Sequence, residues 1–339
     1  MVHLRIVVPS YQSEHALDLL TNAPSVCNVV FLERVARRPE GDLILCDVAR
    51  EDASVIVSDL KELEIDKEGS ISMEMIDSQI SSAAVAAERA AEGRPSDAVV
   101  WEEVESRTSE SVELSGSFLA FMVLAMLIAM VGILTDQLIL IIGAMIVGPE
   151  FGPIAAICVA AVEKRMDLFK RSFRALAVGF TVGITATFLA VLLLNGIGLV
   201  PDDFSQSGHP FTLFISSPDQ WSFMVAYLAG TAGVLSLTSA KSGALIGVLI
   251  SVTTIPAASN IGVAAALGDW SEWVGATEQL SLNLSVIMVA GIGTLFIQRR
   301  LYVRRRKAHL HDESRVAGGL PLGRSRRMGS ATYKTPDGA

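Results

Sequence analysis

Charged residues are scarce in this sequence. Only 19% of its 339 residues are Asp, Glu, Lys or Arg, whereas 51% are hydrophobic. An ordinary soluble domain carries about 25% charged residues, so this chain has more apolar side chains than one soluble core absorbs. We therefore expect a large part of the chain to lie in a lipid bilayer.

Cysteine is rare too, since the sequence contains only Cys27, Cys46 and Cys158. Their spacing matches neither a disulfide framework nor a zinc site, so we interpret them as reduced, buried residues. The first fifteen residues lack the long apolar run and cleavage site of a signal peptide, which predicts a cytosolic N-terminus.

Sequence motifs of catalysis are absent from the apolar segments. We find no Ser/His, Cys/His, paired-carboxylate or HExxH arrangement there. We therefore expect no enzymatic activity, no cofactor, no metal site and no nucleic-acid partner.

Charge is distributed unevenly along the chain. Residues 1–113 carry 10 Lys/Arg against 23 Asp/Glu, whereas residues 114–339 carry 17 against 13. This difference predicts an acidic soluble part joined to a membrane part.

The acidic part predicts a small α+β domain. Four β-type runs and two helical stretches alternate in the order β-α-β-β-α-β, which is typical of a ferredoxin-like fold. We place this cytosolic domain at residues 1–77 and interpret residues 78–113 as a helical juxtamembrane neck, broken at Gly93-Arg94-Pro95. The strands are expected at 4–10, 26–34, 42–49 and 70–76, and the helices at 13–20 and 52–64.

Residues 114–300 predict six membrane spans, because six apolar stretches each approach the ~20 residues that a spanning helix needs. Lys and Arg fall only in alternate loops and after the last span, and the positive-inside rule then places both termini in the cytosol. We expect a multi-pass protein of the cell (inner) membrane, with a basic, disordered cytosolic tail at 301–339. The six stretches are 115–134, 137–162, 175–198, 222–240, 242–267 and 281–298.

The two halves of the membrane part show a weak repeat. Ile142-Gly143-Ala144-Met145-Ile146 ahead of Pro153 is similar to Ile246-Gly247-Val248-Leu249-Ile250 ahead of Pro256. Three spans per half make the second half enter the membrane from the opposite side, so a repeat must be inverted. The sequence therefore predicts a 3+3 inverted repeat.

Spans two and five are both interrupted near mid-membrane by proline and polar residues. Irregular backbone at this depth is tolerated only inside protein or beside a wet cavity, and paired interruptions indicate the substrate site of a secondary transporter. The predicted substrate or ion site comprises Gly148, Pro149, Glu150, Gly152, Pro153, Thr253, Thr254, Pro256, Ser259 and Asn260.

Glu150 is the only ionisable residue near the middle of any predicted span. A charge there costs about 2.5–3.5 kcal/mol on insertion scales, so the side chain should face the protein interior. We interpret it as a proton- or cation-coupling carboxylate. The alternative is that Glu150 caps the second half-helix by accepting its free N–H groups.

The first interruption also carries a family resemblance. The run Ile142-Gly143-Ala144-Met145-Ile146-Val147-Gly148-Pro149, followed by Gly152-Pro153-Ile154, resembles the signature of the bacterial and archaeal membrane-protein family called domain of unknown function 389. The resemblance covers about residues 115–267, and Glu150 departs from it because an apolar residue is usual there. It implies the membrane architecture and no particular activity.

These features favour a secondary transporter or channel-like carrier of an unknown small solute or ion, with a regulatory cytosolic domain. The alternative is a membrane-anchored sensor or assembly scaffold in which the ferredoxin-like domain binds the ligand. We expect a homo-oligomer, because most oligomers are symmetric assemblies of one chain.

Overall fold

The computed structural model describes residues 1–76, 78–91, 98–110, 112–200, 215–239 and 253–325. These residues divide into two compact units. The first, here called the sheet unit, comprises Met1–Glu103 and Arg300–Ala339. The second, here called the helical unit, comprises Val104–Arg299.

A four-stranded antiparallel sheet forms the centre of the sheet unit. Its strands are β1 (Val2–Val8), β2 (Val26–Arg37), β3 (Glu40–Val48) and β4 (Ser70–Met75), and they lie in the order β2-β3-β1-β4. β1 pairs with β3 through Val2↔Val48 and with β4 through Val2↔Met75, which puts β1 and β3 in the middle.

Two main helices cover one face of this sheet. They are α1 (Ser13–Asn22) and α2 (Arg50–Glu62), and a four-residue helix α3 (Ile65–Glu68) precedes β4. Alternate residues of β1 and β3 point into the core because successive strand residues face opposite sides. The order and pairing of elements are those of the predicted ferredoxin-like domain. Buried core residues include Leu4, Ile6, Leu19, Leu20, Ile44, Ile56 and Leu60.

The predicted neck contains two helices, α4 (Ser82–Ala90) and α5 (Trp101–Glu110). Ser81 begins α4 by accepting a hydrogen bond from the amide of Ala84 at 3.3 Å, as an N-cap serine does. The predicted break at 93–95 lies outside the described residues.

The helical unit contains seven further helices among the residues that the structure describes, and the last of them continues into the sheet unit. They are α6 (Gly116–Leu134), α7 (Leu138–Val147), α8 (Phe151–Glu163), α9 (Met166–Gly196), α10 (Gln220–Thr238) and α11 (Thr254–Leu267), followed by α12 (Trp270–His309), which passes the unit boundary.

Four of the described helices are long and apolar enough to cross a membrane, namely α6, α9, α10 and α12. α7 and α8 together make a fifth candidate, bent by 51° at the break between them. The predicted fifth span, 242–267, is described only as the 14-residue α11, because residues 240–252 lie outside the described residues. The repeat block Ile246–Ile250 lies outside them as well.

The end of the chain differs from the expectation of a disordered tail. α12 remains helical to His309, α13 (Glu313–Ala317) follows, and Leu320 is buried in the core of the sheet unit. The basic composition resembled that of a disordered segment, but these arginines pair with acidic side chains of α2. The correction applies to residues 301–325, since 326–339 lie outside the described residues.

Candidate functional site

The interruption of span two is formed by residues 148–150, between α7 and α8. Pro149 and Pro153 have no N–H, so the carbonyls of Met145 and Pro149 lose their helical partners. Gly148 brings the chain close to α11, because a Cβ there would lie 2.6 Å from Cγ1 of Ile255 and would also collide with Oε2 of Glu150. Only glycine fits this position without displacing its neighbours.

Glu150 is buried in the helical unit, with 4% of its surface exposed. Its Oε1 accepts a hydrogen bond of 2.7 Å from the hydroxyl of Thr254, the first residue of α11. Its Oε2 has no hydrogen-bond partner among the described residues. The carboxylate therefore joins the starts of two half-helices and keeps one oxygen open.

Glu150 occupies the N-cap position of α8, but its side chain makes no capping hydrogen bond there. The alternative prediction, that it caps its own half-helix, is therefore wrong. The side chain turns toward α11 instead, because the hydroxyl of Thr254 offers a donor.

Two amide side chains of α12 contact Thr253 beside this carboxylate. Neither of them was among the predicted site residues. Asn283 donates to Oγ1 of Thr253 at 3.0 Å, and Gln279 approaches the same oxygen at 3.5 Å. Both amides are buried, and Oε1 of Gln279 has no hydrogen-bond partner within the described part of the chain. Their spacing of four residues places them on one helix face, which is the signal that could have found them.

Other predicted residues lie on the same helices but bond elsewhere. Ser259 donates to the carbonyl of Met126 at 2.8 Å, and Asn260 donates to Glu272 at 3.1 Å. Ser259 thus attaches α11 to α6, and Asn260 attaches it to the first turn of α12. The structure brings together Glu150, Thr253 and Thr254. Gly148 and Pro149 lie at the break, and Gly152, Pro153 and Pro256 lie in the first turns of α8 and α11. Ser259 and Asn260 lie further along α11.

No group of three or more His, Cys, Asp or Glu side chains that could hold a metal ion occurs among the described residues. All three cysteines are buried and unpaired with one another. Among the residues that the structure describes, the polar side chains at the helix break are thus one carboxylate, two hydroxyls and two amides.

Comparisons with known proteins agree with the family resemblance and give no activity. Residues 145–289 match the family model described as "Domain of unknown function (DUF389)". This range begins later and ends later than the resemblance at 115–267, and it includes Glu150, Gln279 and Asn283.

The chain is also 25% identical over 204 residues to "Uncharacterized protein MJ0678" of Methanocaldococcus jannaschii. The alignment covers 56% of this chain and 58% of that relative. No solved structure matches the chain significantly. The predicted resemblance is confirmed by this match to the DUF389 model, which covers residues 145–289 within the helical unit.

Proposed function

We propose that this protein is a secondary transporter or channel-like carrier of a small solute, with its substrate site at the break between α7 and α8. The observation that carries the proposal is the hydrogen bond between Glu150 and Thr254, which links the starts of α8 and α11. Discontinuous helices whose N-termini meet near mid-membrane are the usual way in which transporters hold a substrate or coupling ion.

We infer an internal repeat from the helix bounds, which match in the two halves except at the ends of α9 and α12. α6 and α10 begin 104 residues apart and also end 104 residues apart. α8 and α11 begin 103 residues apart and end 104 apart, and α9 and α12 begin 104 apart. These matching bounds favour a duplicated unit of three spans.

The helix ends repeat as well. Ser115 caps α6 by accepting from the amide of Phe118 at 3.1 Å, and Asp219 caps α10 by accepting from the amide of Ser222 at 2.7 Å. α8 and α11 both end at a residue in the left-handed conformation, Lys164 and Gly268 respectively. These caps are 104 residues apart in each case.

Contacts between helices follow the same displacement. Gly183 of α9 packs on the side chain of Met126 in α6, and Gly230 of α10 packs on the backbone of Ile287 in α12. Adding 104 to Met126 gives Gly230, and adding it to Gly183 gives Ile287. In the first half the glycine lies in α9, whereas in the second half it lies in α10, the equivalent of α6. The two pairs of packed positions are nevertheless equivalent.

A second pair of contacts crosses between the halves. The thiol of Cys158 in α8 lies 3.7 Å from the carbonyl oxygen of Met288 in α12. A Cβ at Gly262 in α11 would lie 2.8 Å from the carbonyl oxygen of Ile184 in α9. Cys158 and Gly262 are equivalent, as are Ile184 and Met288, so each half presents the same groove to the other.

This pattern relates the Glu150 site to the symmetry that we infer between the two halves. When two equivalent elements pack against each other with exchanged partners, they are related by a two-fold axis, and a contact between equivalent residues lies on that axis. Glu150 and Thr254 are 104 residues apart, whereas the starts of α8 and α11 are 103 apart, so the two residues are equivalent to within one position. We infer a pseudo-two-fold axis close to their hydrogen bond, and with three spans per half the repeat is inverted.

In the proposed topology the chain crosses the cell membrane six times with both termini in the cytosol. Rocking of one half against the other about the axis would open the site to each side in turn. The sheet unit would act as a regulatory domain.

Flux into proteoliposomes tests the proposal. Charge movement is recorded on a supported membrane after concentration jumps of sodium, potassium, acetate, phosphate and glycine, with empty liposomes as the reference. We expect a response to at least one of them that Glu150→Gln abolishes. The matched control is Glu163→Gln, which removes a carboxylate from the other end of α8 that pairs with Arg299. Responses equal to those of empty liposomes across the panel would contradict the proposal.

The sensor alternative has one supporting feature in the sheet unit. A cleft of about 380 Å³ lies beside Ser10, Glu14, Phe31 and Arg34. Its most buried charge, Asp42, already accepts hydrogen bonds from Ser13 at 2.6 Å and from the amide of Arg34 at 2.7 Å. The acidic group is therefore used by the fold, and we rank the sensor second.

A further inference from the structure

We propose that the ligand of the Glu150 site is a monovalent cation, held by Glu150 together with Gln279 and the threonine pair Thr253-Thr254. This inference rests on the proposed function and names the charge class that the site takes. It applies equally to a cation that is itself carried and to one that drives the carriage of another solute.

The first argument is the set of acceptor oxygens without donors. Oε2 of Glu150 and Oε1 of Gln279 are both enclosed, and neither has a hydrogen-bond partner among the described residues. The two side chains expose only 4% and 2% of their surface. A buried acceptor left without a donor destabilises the fold, and more so when it is charged. A cation that contacts these oxygens removes the destabilisation, which an anion or an apolar ligand does not.

The second argument is the kind of other oxygen atoms found at the helix break. Thr253 and Thr254 contribute hydroxyl oxygens, and the carbonyls of Met145 and Pro149 lack helical partners because of Pro149 and Pro153. All of these are neutral oxygen ligands, which suit hard cations such as the alkali metals.

The negative charge of the site indicates whether the ligand carries one positive charge or two. Glu150 is the single carboxylate at the helix break, and the described residues contain no group of three His, Cys, Asp or Glu that could hold a metal ion. One negative charge in a low-dielectric interior is balanced by one positive charge, whereas a divalent ion would leave an uncompensated charge there. The site therefore favours sodium, potassium or a proton over magnesium or calcium.

The third argument comes from the acidic residues of the loops that face away from the cytosol in the proposed topology and of the first turns of α12. The segments 135–136, 199–221 and 268–278 contain no Lys or Arg, as the positive-inside rule requires, but that rule says little about Asp and Glu. The loops nevertheless contain Asp136, Asp202, Asp203, Asp219 and Asp269, and the first turns of α12 contain Glu272 and Glu278. A surface of one sign concentrates ions of the opposite sign at its mouth.

Thermal unfolding of the full-length protein in detergent tests the inference. The unfolding temperature is measured against increasing NaCl, KCl or LiCl at constant ionic strength maintained with choline chloride, and separately against MgCl₂. Because a ligand that binds only the folded state stabilises it increasingly as its concentration exceeds its Kd, the temperature should rise with an alkali chloride and not with choline.

Three variants locate the effect. Glu150→Gln should abolish the alkali-dependent rise, and Gln279→Leu, which keeps the carboxylate, should weaken the apparent affinity about tenfold, equivalent to about 1.4 kcal/mol. Glu163→Gln should respond as the unchanged protein does. If Glu150→Gln does not purify in folded form, Gln279→Leu carries the test.

A pH series at fixed choline chloride separates the proton from the alkali metals. If the proton is the ligand, alkali chlorides act as choline does, and stability depends less on pH in Glu150→Gln than in the unchanged protein. Both results support a monovalent cation. The inference is overturned if MgCl₂ stabilises more than every alkali chloride, or if the unchanged protein and the site variants respond identically to all salts and to pH.

The outcome is independent of the flux experiment. Cation-dependent stabilisation without flux would leave this inference standing and remove the transporter proposal. Flux of acetate, phosphate or glycine without any cation or proton dependence would remove this inference and leave the transporter proposal standing.

Discussion

The two units of this protein differ in how many polar partners surround their buried carboxylates. In the sheet unit, Asp59 and Glu62 of α2 are buried, and Arg306 and Arg315 each pair with both of them. His309 adds a contact of 2.8 Å to Asp59. In the helical unit, Glu150 receives one hydrogen bond, from Thr254, and its second oxygen has no partner among the described residues.

This difference separates structural from functional burial. A buried charge is tolerated when ion pairs and hydrogen bonds saturate it, and its cluster then specifies which segments pack together. The Asp59-Glu62 cluster attaches the end of the chain to the ferredoxin-like domain in this way. A carboxylate that is buried but unsaturated is expensive in the resting fold, which is why such groups mark functional positions.

The largest expected effect comes from breaking the saturated cluster. Arg315→Met removes a fully buried guanidinium and leaves Asp59 and Glu62 with fewer partners. Removing one partner of a buried ion pair costs about 3–5 kcal/mol. Hydrogen exchange should therefore accelerate in α2 and in residues 300–325. Arg324→Ala, at an exposed position, is the control, and equal protection in both variants would contradict a structural role for the cluster.

The next effect concerns the helix break. Gly148→Ala places a Cβ against Oε2 of Glu150 and Cγ1 of Ile255, and overpacking of this kind costs about 1–3 kcal/mol. We expect a lower unfolding temperature and a weaker response to the stabilising cation. Gly143→Ala in α7 is the matched control, since nothing lies within 4 Å of its Cβ position. There alanine should be neutral or stabilising, because glycine costs about 0.5–1 kcal/mol in a helix.

A smaller effect is expected at Asp42, a carboxylate that is saturated by hydrogen bonds. The hydrogen bond from Ser13, helped by the amide of Arg34 and by Ser10, holds the pKa of Asp42 below its ordinary value. An acid with a lowered folded pKa stabilises the fold above its unfolded pKa of about 3.9, and this contribution is lost as pH falls through the folded value. Asp42→Asn should therefore reduce the protection of β3 from exchange at pH 6 and change it little at acidic pH. A loss of equal size at both pH values would contradict the assignment.

The smallest effect is expected at Glu51, the exception within the sheet unit. Neither of its carboxylate oxygens has a hydrogen-bond partner among the described residues, and burial raises the pKa of this group. An acid with a raised folded pKa destabilises the fold as pH rises from its unfolded value, which is about 4.3, through the folded one. Glu51→Gln should therefore slightly increase the protection of α2 at pH 7 and have no such effect near pH 4. Decreased protection at pH 7 would show that the charge has a stabilising partner.

Much of the fold follows from local pattern. The strand and helix order of the sheet unit agrees with the alternation of apolar residues, because each element is amphipathic and short. The break at Pro149 was predictable for a covalent reason, since proline lacks the N–H that a continuous helix needs. The long helices α9 and α12 extend beyond the predicted spans, because polar residues can continue a helix outside the apolar stretch.

The attachment of the chain end could not be predicted locally. Residues 300–315 are basic and lack apolar periodicity, and their partners Asp59 and Glu62 lie about 250 residues earlier. The pairing depends on tertiary structure that composition does not encode.

The candidate site was predictable in part. Matching the depths of two interruptions brought Glu150 and Thr254 together in the prediction, and the structure joins them by a hydrogen bond. Gln279 was missed because it precedes the predicted sixth span at 281–298, whereas α12 begins at Trp270. Asn283 lies inside that span but interrupts no backbone hydrogen bond, so the pattern of broken helices does not indicate it.

Access of water to the helix break tests the account most directly. Thr253→Cys is introduced in a background in which Cys27, Cys46 and Cys158 are replaced, and a membrane-impermeant maleimide is added to right-side-out and to inside-out vesicles. The account predicts labelling of Cys at 253 from both sides, with less labelling when the stabilising cation is present. Ala258→Cys, one turn further along α11 at a fully buried position, should remain unlabelled from either side. Absence of labelling at position 253 from both sides would mean that the polar group is sealed inside the fold and would contradict a transport site there.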